Sequence, residues 1–273
     1  MEFIPRFIPE NNESEKIWLL FSEKERYMAV DTEGSPFLKE IPGIKADFSL
    51  YLGLLAGQDC TCLSFEEQVP LPAGMEWVSF RDGYRALYPL DQYPVSRGKQ
   101  LQEWRRTHRF CGSCGTATEL SETEHVQKCP SCGDHWYPRM APAVIIRITK
   151  GEKILLAHNA NFPEGLYSHI AGFVDPGETL EQAIHREVFE EVGLRVQNIS
   201  YFASQSWPMP HSLMLAFTAE ALDESEPVPD GQEILDARWF SPDALPEIPG
   251  PGSIAGRMLV DFLSEAESRP DHG

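Results

Sequence analysis

Glu187, Glu190 and Glu191 lie within the stretch GFVDPGETLEQAIHREVFEEVGL, which runs from Gly172 to Leu194. At about 3.6 residues per turn, these positions neighbour one another on one face of a helix. Seven residues before each stand Leu180, Ala183 and Ile184, so a face that begins apolar becomes acidic in its last turns. Carboxylates therefore fall where the pattern predicts burial. Clustered anions repel one another and are costly to desolvate unless a hard divalent cation compensates them through oxygen ligands. The chemistry expected is binding of Mg²⁺ or Mn²⁺. A solvated acidic helix face is the ordinary alternative, but such a face lies opposite the apolar one, and here the two coincide.

A second constellation is sulfur-based. Cys111-Gly-Ser-Cys114 and Cys129-Pro-Ser-Cys132 are two CxxC knuckles with fourteen residues between them. Four thiolates suit tetrahedral Zn²⁺, and Gly112, Gly115 and Gly133 are expected to permit the turns that aim backbone amides at sulfur. A closed Cys₄ site leaves no position for substrate water, so the role is structural. Two disulfides or a redox pair are the alternatives, but the spacing is that of a zinc ribbon in a reducing compartment. Cys60 and Cys62 are left over and receive no function.

The elements that position the glutamates are legible in their flanks. Pro176-Gly177 suits a turn with positive φ at the glycine, Thr179 or Glu178 can begin the helix, and Gly193 suits a left-handed C-terminal cap. Arg186, beside the cluster, can orient its carboxylates through forked hydrogen bonds.

Gly172, Glu178, Arg186-Glu187, Glu190-Glu191, Gly193 and Leu194 occupy every fixed position of the Nudix box. The chain therefore resembles a Nudix hydrolase. The resemblance implies hydrolysis of a nucleoside diphosphate linked to another moiety, with the helix glutamates holding the metal. Glu187 and Glu191 would be principal ligands, Ala171 would lend a carbonyl, Glu233 in GQEILDARWF would join them, and Glu190 would serve as ligand or as base.

Ser204 to Ser212, SQSWPMPHS, resembles the SQPWPFPxS signature of the NADH pyrophosphatase subfamily, with Ser206, Met209 and His211 as departures. The resemblance assigns Gln205, Ser206, Trp207, Pro208, Met209, Pro210, His211 and Ser212 to the substrate. Trp207 offers a flat surface for a base or nicotinamide ring, and Gln205 and Ser212 offer hydrogen bonds. Packing of Trp207 against a core is the competing reading. Glu124, Tyr137 and Ala255 match substrate contacts of the same subfamily by position, and YPRMAPAVI after the second knuckle resembles its join between ribbon and catalytic domain.

At 273 residues with 42% hydrophobic content, the chain has material for about two domains. The reading divides it into a leading NADH-pyrophosphatase-like α+β domain over residues 1–106, a zinc ribbon over 107–139 and a Nudix domain over 140–273. In the leading domain, strand-like runs cover Ile17 to Phe21, Phe48 to Leu55 and Trp77 to Phe80, and Leu87, Leu90, Leu101 and Trp104 suggest a packed helix. In the Nudix domain the family implies an α/β fold, an αβα sandwich with a mixed sheet, and strands are expected at Ala143 to Thr149, Lys153 to His158, Ile199 to Ser204 and Ser212 to Glu220. A final helix is expected from Ile254 to Glu267. Residues 221–231 read as an exposed connection, and the acidic tail after Ser264 reads as frayed.

Neither a basic segment followed by an apolar run nor an eighteen-residue apolar stretch occurs, so membrane insertion is not expected and a cytoplasmic location is. The family implies a homodimer. The activity implied is metal-dependent cleavage of NADH or NAD⁺ to AMP and a nicotinamide mononucleotide, with removal of NAD caps from RNA as a related possibility. The net charge of −19 argues against RNA binding without a local basic patch. Other dinucleotides or ADP-sugars are alternative substrates, and a non-catalytic nicotinamide-nucleotide sensor is the alternative from another class.

Overall fold

The computed structural model describes residues 2–9, 15–24, 26–41, 43–87, 89–222 and 224–268, and the side chains of Pro89 and Leu90 lie outside the described residues. The chain forms two units. One is built from the chain up to Met140 together with Trp207–His211, the other from Ala141–Ser206 and the chain from Ser212 onward.

In the first unit, alternating apolar residues build a six-stranded sheet. Its strands are β1 (Phe3–Pro5), β2 (Lys16–Ser22), β3 (Tyr27–Asp31), β4 (Phe48–Leu55), β5 (Gln58–Phe65) and β6 (Met75–Ser79), in the order β1-β4-β5-β2-β3-β6. The period of two sends Ile17, Leu19 and Phe21 of β2 to one face and Leu20 to the other. The first face is covered by α1 (Phe80–Ala86) and α2 (Pro89–Thr107), through Phe80, Tyr84, Val95, Leu101 and Trp104. Phe80, expected to end a strand, instead opens α1 and stacks on Tyr84, its i+4 neighbour on the helix, at 5.7 Å between ring centroids. Cys60 and Cys62 point together into this core, and burial pushes both thiols up, Cys62 to about 12, which leaves them inert. The ribbon follows as three short strands, β7 (Glu119–Leu120), β8 (Gln127–Lys128) and β9 (His135–Trp136), paired in that order.

The second unit is a mixed sheet between helices. Its elements are β10 (Ala141–Lys150), β11 (Lys153–Asn159), β12 (Ile170–Phe173), α3 (Leu180–Val192), β13 (Val196–Trp207), β14 (Ser212–Ala221), β15 (Ile234–Phe240) and α4 (Ile254–Glu267). The order is β13-β14-β10-β11-β15, with β12 also joined to β10. β14 runs parallel to β10, whereas β11 and β12 run antiparallel to it. β10 is buried on both faces: Val144, Ile146 and Ile148 meet Ala183, Ile184, Val188 and Val192 of α3, while Ile145 joins Ile254 and Met258 of α4. This is the αβα sandwich expected. Among the described residues, no helix is long and apolar enough to cross a membrane.

The final helix reaches Glu267 as expected, so the tail after Ser264 is helical that far rather than frayed, held where Arg147 inside the sheet binds Asp261 and Glu265 at 2.8 and 2.9 Å; residues 269–273 lie outside the described residues. The connection after β14 is exposed as expected, and the amides of Val228 and Asp230 within it donate to the carbonyls of Val192 and Glu191.

Candidate metal and substrate sites

Local sequence sets the geometry of α3. Thr179 caps its N-terminus in a reciprocal capping box with Gln182, and Gly193 ends it in the left-handed region at φ 67°. Gly177 turns the preceding loop at φ 99°. Glu178 does not cap: its carboxylate accepts from the Asp175 amide and, at 2.6 and 2.8 Å, from Arg186. Arg186 also donates to Glu187, to Glu190 and to the carbonyl of Phe173, so a single guanidinium ties the helix to the strand before it.

Glu187 and Glu191 line a cavity of about 320 Å³ together with Ala171, Gly172, Ser212 and Glu233. Glu191 is 5% exposed and its Oε2 has no hydrogen-bond partner. Burial first, then the charges of Glu233, Glu187, Asp230 and Glu190, push its carboxyl up to about 8. Burial also raises Glu187, against the pull of Arg186. The expected three-carboxylate face is thus one buried carboxylate, Glu191, one half-buried, Glu187, and one flanking one: the side chain of Glu190 is 60% exposed and does not line the cavity. Mutually repelling carboxylates, one of them buried with an orphaned oxygen, fit a hard divalent cation. Among the described residues, three or more ligand atoms lie within 4.8 Å of one another only at the cysteines.

The four cysteine sulfurs lie within 4.8 Å of one another, with Cys111–Cys132 and Cys114–Cys129 separations of 3.6 and 3.5 Å. A disulfide needs about 2.05 Å. Ligands about 2.3 Å from a tetrahedral zinc lie about 3.8 Å apart, so the sulfurs fit zinc. Both knuckles repeat one pattern, in which the Gly115 and Gly133 amides donate to the carbonyls of Cys111 and Cys129. Those two glycines have φ of 75° and 81°. Gly112, expected to share that role, instead makes room for Trp136, whose ring a Cβ would approach to 3.0 Å.

The residues expected at the substrate are distributed over both units. In the first, Glu124 pairs loosely with Lys128 at 3.9 Å and Tyr137 is 53% exposed. Trp207 meets the edge of Tyr84 at 5.7 Å and, with Met209, packs on the first unit's core, so the core-packing reading describes its contacts. Pro208 is buried, while Pro210 and His211 are exposed. In the second unit, Ser206 is half-buried, Ser212 and Ala255 are buried, and Ser212 reaches the acidic cavity. Gln205 is engaged within the protein: Nε2 donates to the Gly252 carbonyl at 3.0 Å and Oε1 accepts from the Ile254 amide at 2.6 Å, holding the start of α4 next to Ala255.

A feature missed in the sequence is a cavity of about 1180 Å³ in the first unit, with Pro208, Met209 and Pro210 in its wall. Seven basic side chains line it, among them Arg26, Arg81, Lys99, Arg105, Arg106 and Arg109, against five acidic ones. Lys99 is 6% exposed and sits between Phe21 and Phe80, its ammonium donating to Gln102 at 2.8 Å. Arg105 lies over Phe48, and its buried Nη1 has no partner. The only sequence signal was Arg105, Arg106 and Arg109 crowded at the end of α2.

The sandwich, the glutamate-bearing helix and the four-cysteine ribbon together define a class. The NUDIX domain profile matches residues 138–259, and that of the NADH pyrophosphatase zinc ribbon domain matches residues 106–137. The chain belongs to the Nudix family. It is 44% identical over 209 residues to the NAD-capped RNA hydrolase NudC of Chromobacterium violaceum, spanning 77% of this chain and 78% of that one. Against NAD-capped RNA hydrolase NudC of Pseudomonas aeruginosa the identity is 45% over 212 residues, spanning 77% and 75%. The crystal structure of a NUDIX hydrolase from Nitrosomonas europaea superposes with a TM-score of 0.51 at 27% identity, covering 59% of this chain and 94% of that one.

Proposed function

We propose that the protein is a Mg²⁺- or Mn²⁺-dependent hydrolase of the diphosphate bond of NADH or NAD⁺, yielding AMP and a nicotinamide mononucleotide, and that it removes NAD caps from RNA 5′ ends. The observation that carries the reading is the second unit's acidic cavity, where Glu191 is buried with an unpaired oxygen among Glu187 and Glu233. Glu187, Glu191, Glu233 and the Ala171 carbonyl would hold the cation. When bound, such a cation neutralises charge on a diphosphate and lowers the pKa of water.

The chain's own groups do the rest. Arg186 aims Glu187 into the cavity at 2.8 Å while leaving Glu191 without a cationic partner. Glu190, in water at the flank of the set, is assigned the proton of the attacking water. Glu124, Tyr137, Ser206, Ser212, Ala255 and the Trp207–His211 segment are assigned to the dinucleotide, and Gln205 acts by holding the loop ahead of Ala255. The protein is read as a cytoplasmic homodimer on its likeness to NudC proteins, which light scattering and cell fractionation check.

The basic cavity favours the RNA reading specifically. It supplies the local positive patch that a chain of net charge −19 otherwise lacks, beside three residues of the substrate signature. Retention of every box glutamate weighs against a non-catalytic sensor. The test is incubation with NADH, NAD⁺, ADP-ribose and 5′-NAD-capped RNA, with and without Mn²⁺, resolving products by chromatography. Metal-dependent release of AMP and reduced nicotinamide mononucleotide from NADH is expected. Capped RNA should lose turnover more steeply with added salt than NADH does, because more phosphates are engaged. Tight nucleotide binding without cleavage under either metal would overturn the assignment.

A further inference from the structure

Glu233 reaches the acidic cavity from the residue before β15, and its backbone and its carboxylate are fixed by different neighbours. Its backbone is set by Asp230, whose carboxylate accepts from the amides of Gln232, Glu233 and Ile234, the last at 2.8 Å. The Asp230 amide donates to the Glu191 carbonyl at 3.1 Å, which ties this turn to α3. From the other side, the Ala160 amide donates to the Glu233 carbonyl at 2.9 Å. The pairing of β11 with β15 slips at this point: His158 faces Asp236 but Asn159 faces Ile234, which leaves Leu235 as an extra residue. Such a bulge re-aims the side chains around it.

The carboxylate itself meets Asn159, whose Nδ2 donates to Glu233 Oε1 at 3.2 Å. The orientation of the amide is fixed independently, because Asn159 Oδ1 accepts from the Asn161 amide at 2.9 Å and from Asn161 Nδ2 at 3.2 Å. We propose that Asn159 is a positioning residue that holds the Glu233 carboxylate towards the cavity it shares with Glu187 and Glu191. Repulsion from the Glu187 carboxylate, and from Glu191 once it is ionised, drives Glu233 outward, and a single donor held by the Asn161 turn opposes that drift. The donor is neutral, so it holds the carboxylate without cancelling the charge that attracts a cation. Glu187 has the opposite arrangement, with its charge partly compensated by Arg186.

The inference rests on the reading of Glu233 as a ligand, and the experiment separates the two. Free Mn²⁺ is measured by electron paramagnetic resonance in titrations of the full-length, zinc-loaded protein, for the wild type, Asn159→Ala, Glu233→Gln and the double variant. Asn159→Ala should raise the Mn²⁺ dissociation constant about tenfold while leaving the metal-free melting temperature unchanged. The double variant should bind no more weakly than Glu233→Gln alone, since a residue that acts only through Glu233 has nothing left to position. Should alanine loosen the turn, Asn159→Ser keeps an acceptor for the Asn161 amide, does not reach Glu233 and gives the same comparison. Wild-type Mn²⁺ affinity in Asn159→Ala, with weakened binding in Glu233→Gln, overturns this inference alone, as do additive losses in the double variant. Unchanged affinity in Glu233→Gln overturns the reading of Glu233 as a ligand, and this inference falls with it.

Discussion

Gly172 and Glu187 occupy one space: a Cβ on Gly172 would lie 2.0 Å from Glu187 Cδ and 2.1 and 2.3 Å from its carboxylate oxygens. The glycine that opens the box is therefore required by the carboxylate rather than by backbone conformation. A methyl group there displaces the end of a flexible side chain, which costs little stability but moves the oxygen proposed to bind the metal. Gly172→Ala should keep a melting temperature near that of the wild type and lose about tenfold or more in Mn²⁺ affinity and in kcat/KM. Paired calorimetry and metal titration check this. Retention of both metal affinity and turnover would mean that Glu187 is not where the cation binds.

Glu191→Gln separates charge from shape. Without divalent metal, the folded protein holds the Glu191 proton up to about pH 8, whereas the unfolded chain releases it near 4.5. Stability should then fall as pH rises from 4.5 to 8 and level off above, by at most about 5 kcal/mol. Glutamine resembles the neutral acid and lacks this slope. Metal-free urea unfolding across that window should show the variant gaining on the wild type with pH. Turnover should fall by roughly two to three orders of magnitude with the fold intact. Normal turnover in a folded variant would sink the mechanism.

The box, both knuckles and four of the second unit's six strands were legible because each depends on local spacing, whereas β12, too short to show a pattern of its own, and β15 were not. Thr179 and Gly193 are read from cap chemistry, and β10 from an unbroken apolar run. The positions of Glu190 and Gln205 were not legible. Sequence places Glu190 on a face but does not say how far a neighbouring strand covers that face, and Gln205 finds its partners 47 and 49 residues away. The basic cavity was hidden for the same reason: Arg26, Arg81 and Arg105 are scattered along the chain and meet only when the strands and α2 of the first unit pack. Asn159 carries no motif at all, and its role depends on a strand slip that only the folded register reveals.

Lys99 offers a test of the basic cavity that is independent of the acidic one. Burial lowers its ammonium to about 8 from an unfolded value of 10.5, so the unfolded chain binds the extra proton between those values. Stability therefore rises with pH from 8 to 10.5, and at neutral pH the buried charge is a net cost. Lys99→Met keeps the volume between Phe21 and Phe80 and should stabilise the protein at pH 7 by about 1–2 kcal/mol, after the lost ring and Gln102 contacts are set against the gain. Capped-RNA cleavage should weaken more than NADH cleavage, and the salt dependence of the RNA reaction should become shallower. Equal losses for both substrates would remove the cavity from RNA recognition.

Zinc and the catalytic cation should be separable by which unit each supports. The sulfurs of Cys111, Cys114, Cys129 and Cys132 belong to the first unit, whereas Glu187, Glu191 and Glu233 belong to the second. One zinc per chain is expected by elemental analysis. Cys129→Ser removes a buried ligand and should abolish zinc retention and lower the melting temperature, because the short strands of the ribbon have little core of their own. Mn²⁺ binding at the glutamates should survive that substitution within about twofold. Dinucleotide turnover should fall, since Glu124, Tyr137 and the Trp207–His211 segment lie in the unit the ribbon belongs to. Loss of Mn²⁺ binding together with zinc, in a protein whose second unit remains folded by hydrogen exchange, would show that the two metals share a site and that the ribbon's role is not structural.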